Sequence, residues 1–348
     1  MALQSKTKPK KILVIESTCD ETAAAIVDEQ LHVYGSVVAS QEHLHEKFRG
    51  VVPEIAARAH VERIIPVIDE TLQRSGLTLA DIDAVGVANT PGLAGSLLIG
   101  LVAAKTLAMT LNVPLIAINH LHAHIYACRI ASGRDIFPCV GLVVSGGHTH
   151  LYRCQSGATF ELLGGTIDDA AGEAFDKVAN MLRLPFPGGP ALSQLAEQGN
   201  PAAHRFPRSF LSEPDRLQFS FSGLKTAVRY AITGPGGADP TQVELSWQQQ
   251  ADLAASFQEA VVDCLVDKSL RALQITKLNR LCIGGGVAAN KRLRQRITEE
   301  CHSDGIELMI APMALCTDNA VMGGLAVEHL QAGKFADLDL DITAGLVR

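Results

Sequence analysis

The feature that most constrains this chain is a piece of local grammar that occurs twice. Lys11–Glu16 (KILVIE), a polar turn Ser17-Thr18-Cys19-Asp20, a strand over 22–28 and a third at Val33–Ser40 make the first copy. Cys139–Val144, the turn Ser145-Gly146-Gly147-His148, a strand over 150–154 and another over 159–163 make the second. Each copy joins a β-branched run, a tight turn and a return strand, which is the pattern of an antiparallel meander. Segments that alternate helix and strand follow each copy, and such alternation gives parallel strands. The expected fold is therefore α/β: two similar α/β subdomains, 1–118 completed by 320–348 and then 119–319, with the polar turns expected to face a cleft.

Composition narrows the class further. The chain has 348 residues, 47% hydrophobic, 19% charged and only 5% aromatic, which suits packed α/β layers better than a β-sandwich. A net charge of −7 argues against a globally basic nucleic-acid binder, while leaving a local patch open. The eight cysteines include no C-x-x-C pair, so a zinc ribbon or disulfide framework is not expected, and a reducing compartment is favoured. The leading MALQSKTKPKK has no apolar core of signal-peptide type, and the apolar stretch over 93–111 is broken by Ser96 and Lys105. These features predict a cytoplasmic protein without a membrane partner, with 93–111 as a buried helix.

Between the meanders the pattern predicts a helix at Pro53–Ser75, strands over 84–88 and 113–118, and a helix running on from His120. Asp168 and Asp169 precede a helical run, where acids favour an amino terminus. An apolar stripe of Leu253, Phe257, Val261, Cys264 and Leu265 marks a sheet-facing helix over 251–273. The residues over 234–240 (GPGGADP) read as a connecting loop.

Chemistry concentrates at the ends of strands. His120 and His124 stand four apart at the start of a helix, so their imidazoles share one face and can hold one metal ion, or else are merely hydrogen-bonded. His122 lies about 200° around the helix from His120 and is not counted with them. Asp318 precedes a helix, where it either caps or supplies a third, anionic ligand. Asp20 and Glu21 form a carboxylate pair that can orient a metal, accept a proton, or simply make an Asx turn. Gly284-Gly285-Gly286 and Ser145-Gly146-Gly147-His148-Thr149 are turns whose backbone can approach a phosphate chain, although neither matches a Walker or dinucleotide fingerprint. The basic run Lys291, Arg292, Arg294, Arg296 reads as a solvated face or an RNA contact.

In order along the chain, KILVIESTCDET, GVVPEIAARAH, NTPGLAGSLLIG, the His120/His124 pair, LVVSGGHT, IDDAAGEAFDK, FPGGP, FSFSGLKT, GGGVAANKRLR and CTDNA resemble the TsaD-type tRNA N6-adenosine threonylcarbamoyltransferases over about residues 11–330. The resemblance implies the actin-like ATPase (ASKHA) fold. It also implies transfer of a threonylcarbamoyl group from threonylcarbamoyl-AMP to N6 of the adenosine beside the anticodon, in tRNAs that read codons beginning with A, with release of AMP. Carried over by position, His120, His124 and Asp318 would bind one divalent metal, iron ahead of zinc. Val143, Val144, Ser145, Gly146, Gly147, Asp176, Gly189 and Asn290 would hold the adenylate, in a site that ATP or ADP can also occupy. Asp20 and Glu21 match the family's first-turn acids, with Asp20 as proton acceptor or the group that positions it. The implied partners are tRNA, an inactive TsaB-type paralogue and a small TsaE-type ATPase. Ser17-Thr18 reverses the family's commoner order, and Ala123 stands where glycine is frequent; both presumed histidine ligands remain.

Two other activities fit parts of the pattern. A metallopeptidase of the H-E-x-x-H kind needs a glutamate after the first histidine, and Leu121 stands there. A nucleotide-binding ATPase would share the fold, but the histidine pair is foreign to that chemistry.

Overall fold

The computed structural model describes residues 8–237 and 239–345. The loop expected over 234–240 therefore lies outside the described residues at Ala238, as do the two chain ends of the expected subdomain boundaries. Two compact units divide the described chain. The first contains residues up to Gln41, Pro53–Tyr126 and Asp318–Gly345, and the second contains Glu42–Val52 and Ala127–Thr317.

In the first unit β1 (Lys11–Glu16), β2 (Glu21–Asp28), β3 (Val33–Ser40), β4 (Ala84–Thr90) and β5 (Leu115–Asn119) form one sheet in the order β3-β2-β1-β4-β5. The meander strands are antiparallel, and β1, β4 and β5 run parallel. β1 is buried along its whole length, as expected for a central strand whose residues form a near-continuous apolar run. After the single-turn α1 (Glu42–His45), which groups with the second unit, α2 (Pro53–Ser75) and α3 (Ala94–Leu111) cover one face of this sheet. Leu13, Ile15, Ile26, Ile64, Ile68, Val85 and Leu101 share that core.

The expectation that 93–111 is a buried helix needs correction. α3 buries only the face carrying Leu97, Gly100, Leu101, Ala104 and Ala108, while Leu98, Val102 and Met109 are 48%, 55% and 65% exposed. Val61 and Ile65 on α2 are 62% and 75% exposed. Mean apolarity does not report burial when a helix is apolar all round, and here one apolar face lacks a covering element among the described residues. By length and composition alone, Ala94–Leu111 is the one helix among the described residues that could cross a membrane.

The second unit repeats the plan. After α4 (His120–Ser132), which begins in the first unit, come β6 (Cys139–Val144), β7 (Thr149–Ser156) and β8 (Thr159–Gly165), later joined by β9 (Arg280–Gly284) and β10 (Glu307–Ile310). Their order, β10-β9-β6-β7-β8, read from its far end is the order of the first sheet, with the same antiparallel meander and parallel extension. The helices are α5 (Ala171–Met181), α6 (Gly188–Ala196), α7 (Ser222–Thr233), α8 (Trp247–Thr276), α9 (Lys291–Ser303) and the short α10 (Met313–Cys316). The chain then returns to the first unit through a 3₁₀ segment Val321–Leu325 and α11 (Ala326–Gln331). All eight cysteines are free thiols. The long α8 buries the expected stripe, Leu253, Phe257, Val261, Cys264 and Leu265.

Two local expectations changed. Asp168 does not serve α5. Its Oδ1 accepts the backbone N–H of Phe221 at 2.9 Å and of Ser222 at 3.3 Å, and its Oδ2 accepts the hydroxyls of Ser220 and Ser222 at 2.6 Å each, so it caps α7. Asp169 pairs with Lys177 and Lys225, both at 2.8 Å. Helix-start acids are assigned by the nearest downstream helix, and here the orphan N–H groups in reach belong to a helix far along the chain.

Burial alone would raise the Asp168 pKa, but these four hydrogen bonds hold it below the ordinary 3.8. Asp168→Ala is expected to destabilise the protein by roughly 2–4 kcal/mol, since it leaves a helix start uncapped and several donors unpaired. Because the folded value is depressed, that contribution is present above about pH 4 and is lost as pH falls through the folded pKa. Denaturant melts of wild type and Asp168→Ala at pH 7 and pH 3 should therefore show a gap that narrows in acid.

The basic run is neither free nor a plain solvated face. Arg292 makes a two-pronged pair with Glu259 at 2.7 Å, Arg296 meets Glu259 and Glu300, Lys291 meets Glu197, and Arg294 donates to the carbonyls of Ala288 and Ala311. These side chains tie α9 to α8, α6 and the loops beside it.

Candidate metal centre and nucleotide site

β5 ends at Asn119 and α4 begins at His120, so the histidine pair stands at the carboxyl end of a parallel strand. Asn119 Oδ1 accepts the N–H groups of Leu121 and His122, which sets the helix start. The two imidazoles pack edge to face with centroids 4.6 Å apart. Asp318 joins them: its Oδ1 lies 3.6 Å from His120 Nε2 and 3.2 Å from His124 Nε2. One ligand atom from each of the three residues falls within 4.8 Å of the other two. The capping alternative for Asp318 is taken by its neighbour, since Asn319 Oδ1 accepts the Met322 N–H.

His124 is fully buried, and neither ring nitrogen has a hydrogen-bond partner among the described residues; the 3.2 Å approach to Asp318 is not directed as a hydrogen bond. A buried imidazole in that condition costs about 1–3 kcal/mol unless something else meets its lone pair. His120 is different. Burial pushes its pKa down, but the carboxylates of Asp318 and Glu16 outweigh that and raise it to about 9. A buried cation at this point is thus favoured, and a divalent metal would compete with that proton. His122 is apart from the cluster; burial, with His329 nearby, lowers its pKa to about 4.

The first turn supplies the remaining acids. Glu21 is pushed up to about 10, chiefly by burial, then by Asp318 and Asp20, so its carboxyl is protonated at neutral pH. Burial, with Asp20 and Asp318 close by, also holds the Cys19 thiol well above its usual range. The turn is fastened from behind. His60 on α2 bonds Thr22 Oγ1 at 2.7 Å and the Cys19 carbonyl at 2.9 Å, Ser96 Oγ donates to the same carbonyl, and Leu93 N–H donates to Thr18 O. A Cβ on Gly100 would come within 2.3 Å of Ser17 Oγ, which explains why the apolar α3 carries glycine where it crosses the turn.

Sequence reasoning missed Glu16, Thr18 and His60. Glu16 was legible in principle as an acid closing the otherwise buried strand KILVIE, and a buried carboxylate requires a partner. That its partner is His120 is a tertiary fact.

In the second unit the expected adenylate residues lie on a closed circuit of contacts. Val143 and Val144 end β6, and Ser145 N–H donates to His148 O to close the turn. Ser145 and Gly146 accept the N–H groups of Gly172 and Glu173 at the start of α5. Asp176, one helical turn further on, accepts the N–H groups of Gly188 and Gly189 at 2.9 and 3.2 Å, which opens α6. Ser193 on α6 receives a hydrogen bond from Asn290 Nδ2, which also reaches Gln258 on α8. The segment before Asn290 leads back to Gly285, whose φ of +97° and close approach to Val144 O exclude any side chain. Around this ring Gly146, Gly147, Gly189 and Gly286 face open space. Asp176 and Asn290 both carry structural hydrogen bonds, a load that their motif positions alone do not reveal.

The paired sheets, each a three-stranded meander extended by parallel strands, place the chain in the actin-like ATPase fold class. Structures of HypF share that fold: full-length HypF aligns with a TM-score of 0.63 and 15% identity over 95% of this chain and 57% of its own length, and T.kodakarensis HypF with 0.64 and 14% over 94% and 48%. The family description tRNA N6-adenosine threonylcarbamoyltransferase matches residues 32–325. Proteins of that name from Rhodopirellula baltica, Symbiobacterium thermophilum and Bacillus cereus are 57%, 50% and 48% identical, covering 96–97% of this chain and of their own lengths. The chain belongs to the tRNA N6-adenosine threonylcarbamoyltransferase family and is a transferase enzyme of tRNA modification.

Proposed function

We propose that the protein transfers the threonylcarbamoyl group of threonylcarbamoyl-AMP to N6 of the adenosine beside the anticodon, in tRNAs that read codons beginning with A, and releases AMP. Family membership supports a reaction of tRNA modification, and the observation that carries the site assignment is the buried His120, His124 and Asp318 cluster, in which neither nitrogen of His124 is hydrogen-bonded among the described residues. Two neutral imidazoles and one carboxylate are a donor set that suits iron(II) or zinc(II) and leaves positions for substrate oxygens. When bound, such a metal supplies Lewis-acid polarisation of the acyl oxygen.

The donor is a mixed anhydride and already activated, so the protein's work is to orient it and to manage charge and one proton. In this reading the Ser145-Gly146-Gly147 turn and the open backbone surface at Gly189, fixed by Asp176, cradle the adenylate, with Asn290 held by Ser193 and Gln258 at the side of the same ring. The adenosine amine forms the new N–C bond, the bond from the acyl carbon to the phosphate oxygen breaks, and Asp20 takes the amine proton. Glu21, already protonated, donates a hydrogen bond and accepts no proton.

The partner set implied by the family, tRNA with a TsaB-type paralogue and a TsaE-type ATPase, belongs to the same proposal, as does a cytoplasmic setting. The exposed apolar rows Val61, Ile65 and Leu98, Val102 are the kind of surface a paralogous helical partner would cover.

The test is a single-turnover reaction with purified protein, synthetic threonylcarbamoyl-AMP and unmodified tRNA. The expected products are the modified nucleoside and AMP in equal amounts. No nucleoside product in that reaction, with ADP released in a parallel one that supplies ATP in place of the adenylate, would favour the ATPase reading instead.

A further inference from the structure

We propose that Glu16 is a positioning residue that fixes His120 as an Nε2 ligand and joins the metal centre to the catalytic turn. This rests on the metal reading above. Glu16 closes β1 with its side chain only 4% exposed, and among the described residues His120 is its ion-pair partner, Oε2 lying 3.2 Å from His120 Nδ1. Its other oxygen, Oε1, accepts the Thr18 N–H at 2.9 Å, and Thr18 Oγ1 lies 3.2 Å from the same Nδ1.

The geometry separates this role from direct ligation. Glu16 meets the Nδ1 edge of the ring, whereas Asp318 Oδ1 stands 3.6 Å from Nε2 on the other edge. A carboxylate that accepts Nδ1–H leaves the Nε2 lone pair aimed at the ligand cluster and makes it more basic. His124 has no equivalent support, because its Nδ1 is buried without a partner. The two histidines are therefore unequal, and His120 is the strong ligand. Through Thr18, the same carboxylate sets the backbone two residues ahead of Asp20, so ligand orientation and turn conformation depend on one side chain.

The experiment is zinc binding by chelator competition to the metal-free full-length chain, for wild type, Glu16→Gln and His124→Leu, with long-range proton–nitrogen spectra of zinc-loaded wild type. Glu16→Gln keeps the side chain's shape and is expected to weaken zinc binding about 10–100-fold. In the spectra, His120 should be bound through Nε2 and protonated at Nδ1. Affinity of Glu16→Gln within twofold of wild type, or His120 bound through Nδ1, would overturn the proposal. Should the variant fail to fold, the wild-type spectra decide alone. Failure of the underlying metal reading looks different: wild type would bind no zinc, or His124→Leu would bind it as tightly as wild type, and the positioning role would fall with it.

Discussion

Replacing His124 by leucine is expected to abolish stoichiometric metal binding and to lower threonylcarbamoyl transfer by about 10²–10³-fold, a loss comparable to removing one essential electrostatic stabiliser. The same change should leave the metal-free protein at least as stable as wild type. That second outcome distinguishes a ligand from a core residue. His124 is fully buried with neither nitrogen hydrogen-bonded, so an apolar side chain of similar size removes about 1–3 kcal/mol of unsatisfied polar burial. A histidine retained for packing would give the opposite result, lower thermal stability with unchanged transfer. Paired melts with and without added zinc check both halves, since a ligand that binds only the folded state raises the melting temperature of wild type and not of the variant.

Asp20→Ala, with the adenylate supplied, should lose about 10²–10⁴ in kcat, the usual range for a general base, with little change in KM for the adenylate. The backbone of the turn does not depend on that side chain. Gln41 N–H donates to the Asp20 carbonyl, Leu93 N–H to that of Thr18, and His60 to that of Cys19. The neighbouring acid cannot substitute. Glu21, raised to about 10 by burial and then by Asp318 and Asp20, carries its proton at neutral pH, so Glu21→Gln should cost far less than Asp20→Asn. The sign for stability follows from the same shift. With its folded pKa above the unfolded value, Glu21 weighs against the metal-free fold once pH passes about 4.5, and the weight grows up to about pH 10. Glu21→Gln should therefore stabilise the metal-free protein at pH 8 and not at pH 4. A wild-type rate for Asp20→Ala would remove the proton-acceptor role.

The fold was readable where one physical signal dominated. The two meanders appear within a residue or two of their expected limits because β-branched runs and polar turns act locally. Burial of α3 was not readable, because Leu98 and Val102 are as apolar as Leu97 and Leu101, and what covers each face is decided by the sheet. The cluster of His120, His124 and Asp318 was legible through helical spacing and strand-end position, whereas the Glu16 contact joins residues 104 apart in sequence. Asp168 shows the same limit, since an acid before one helix caps another 54 residues away. Asp176 and Asn290 were read as ligand contacts, and the structure adds the hydrogen bonds that hold the ring carrying them.

The most direct measurement is the metal content of the protein purified without chelators or nickel resin, determined by elemental analysis alongside Asp318→Ala prepared identically. One equivalent of iron or zinc per wild-type chain, absent from the variant together with transfer activity, is the result predicted here. Full transfer activity in a metal-free wild-type protein, or an equivalent of metal retained by Asp318→Ala, would contradict it.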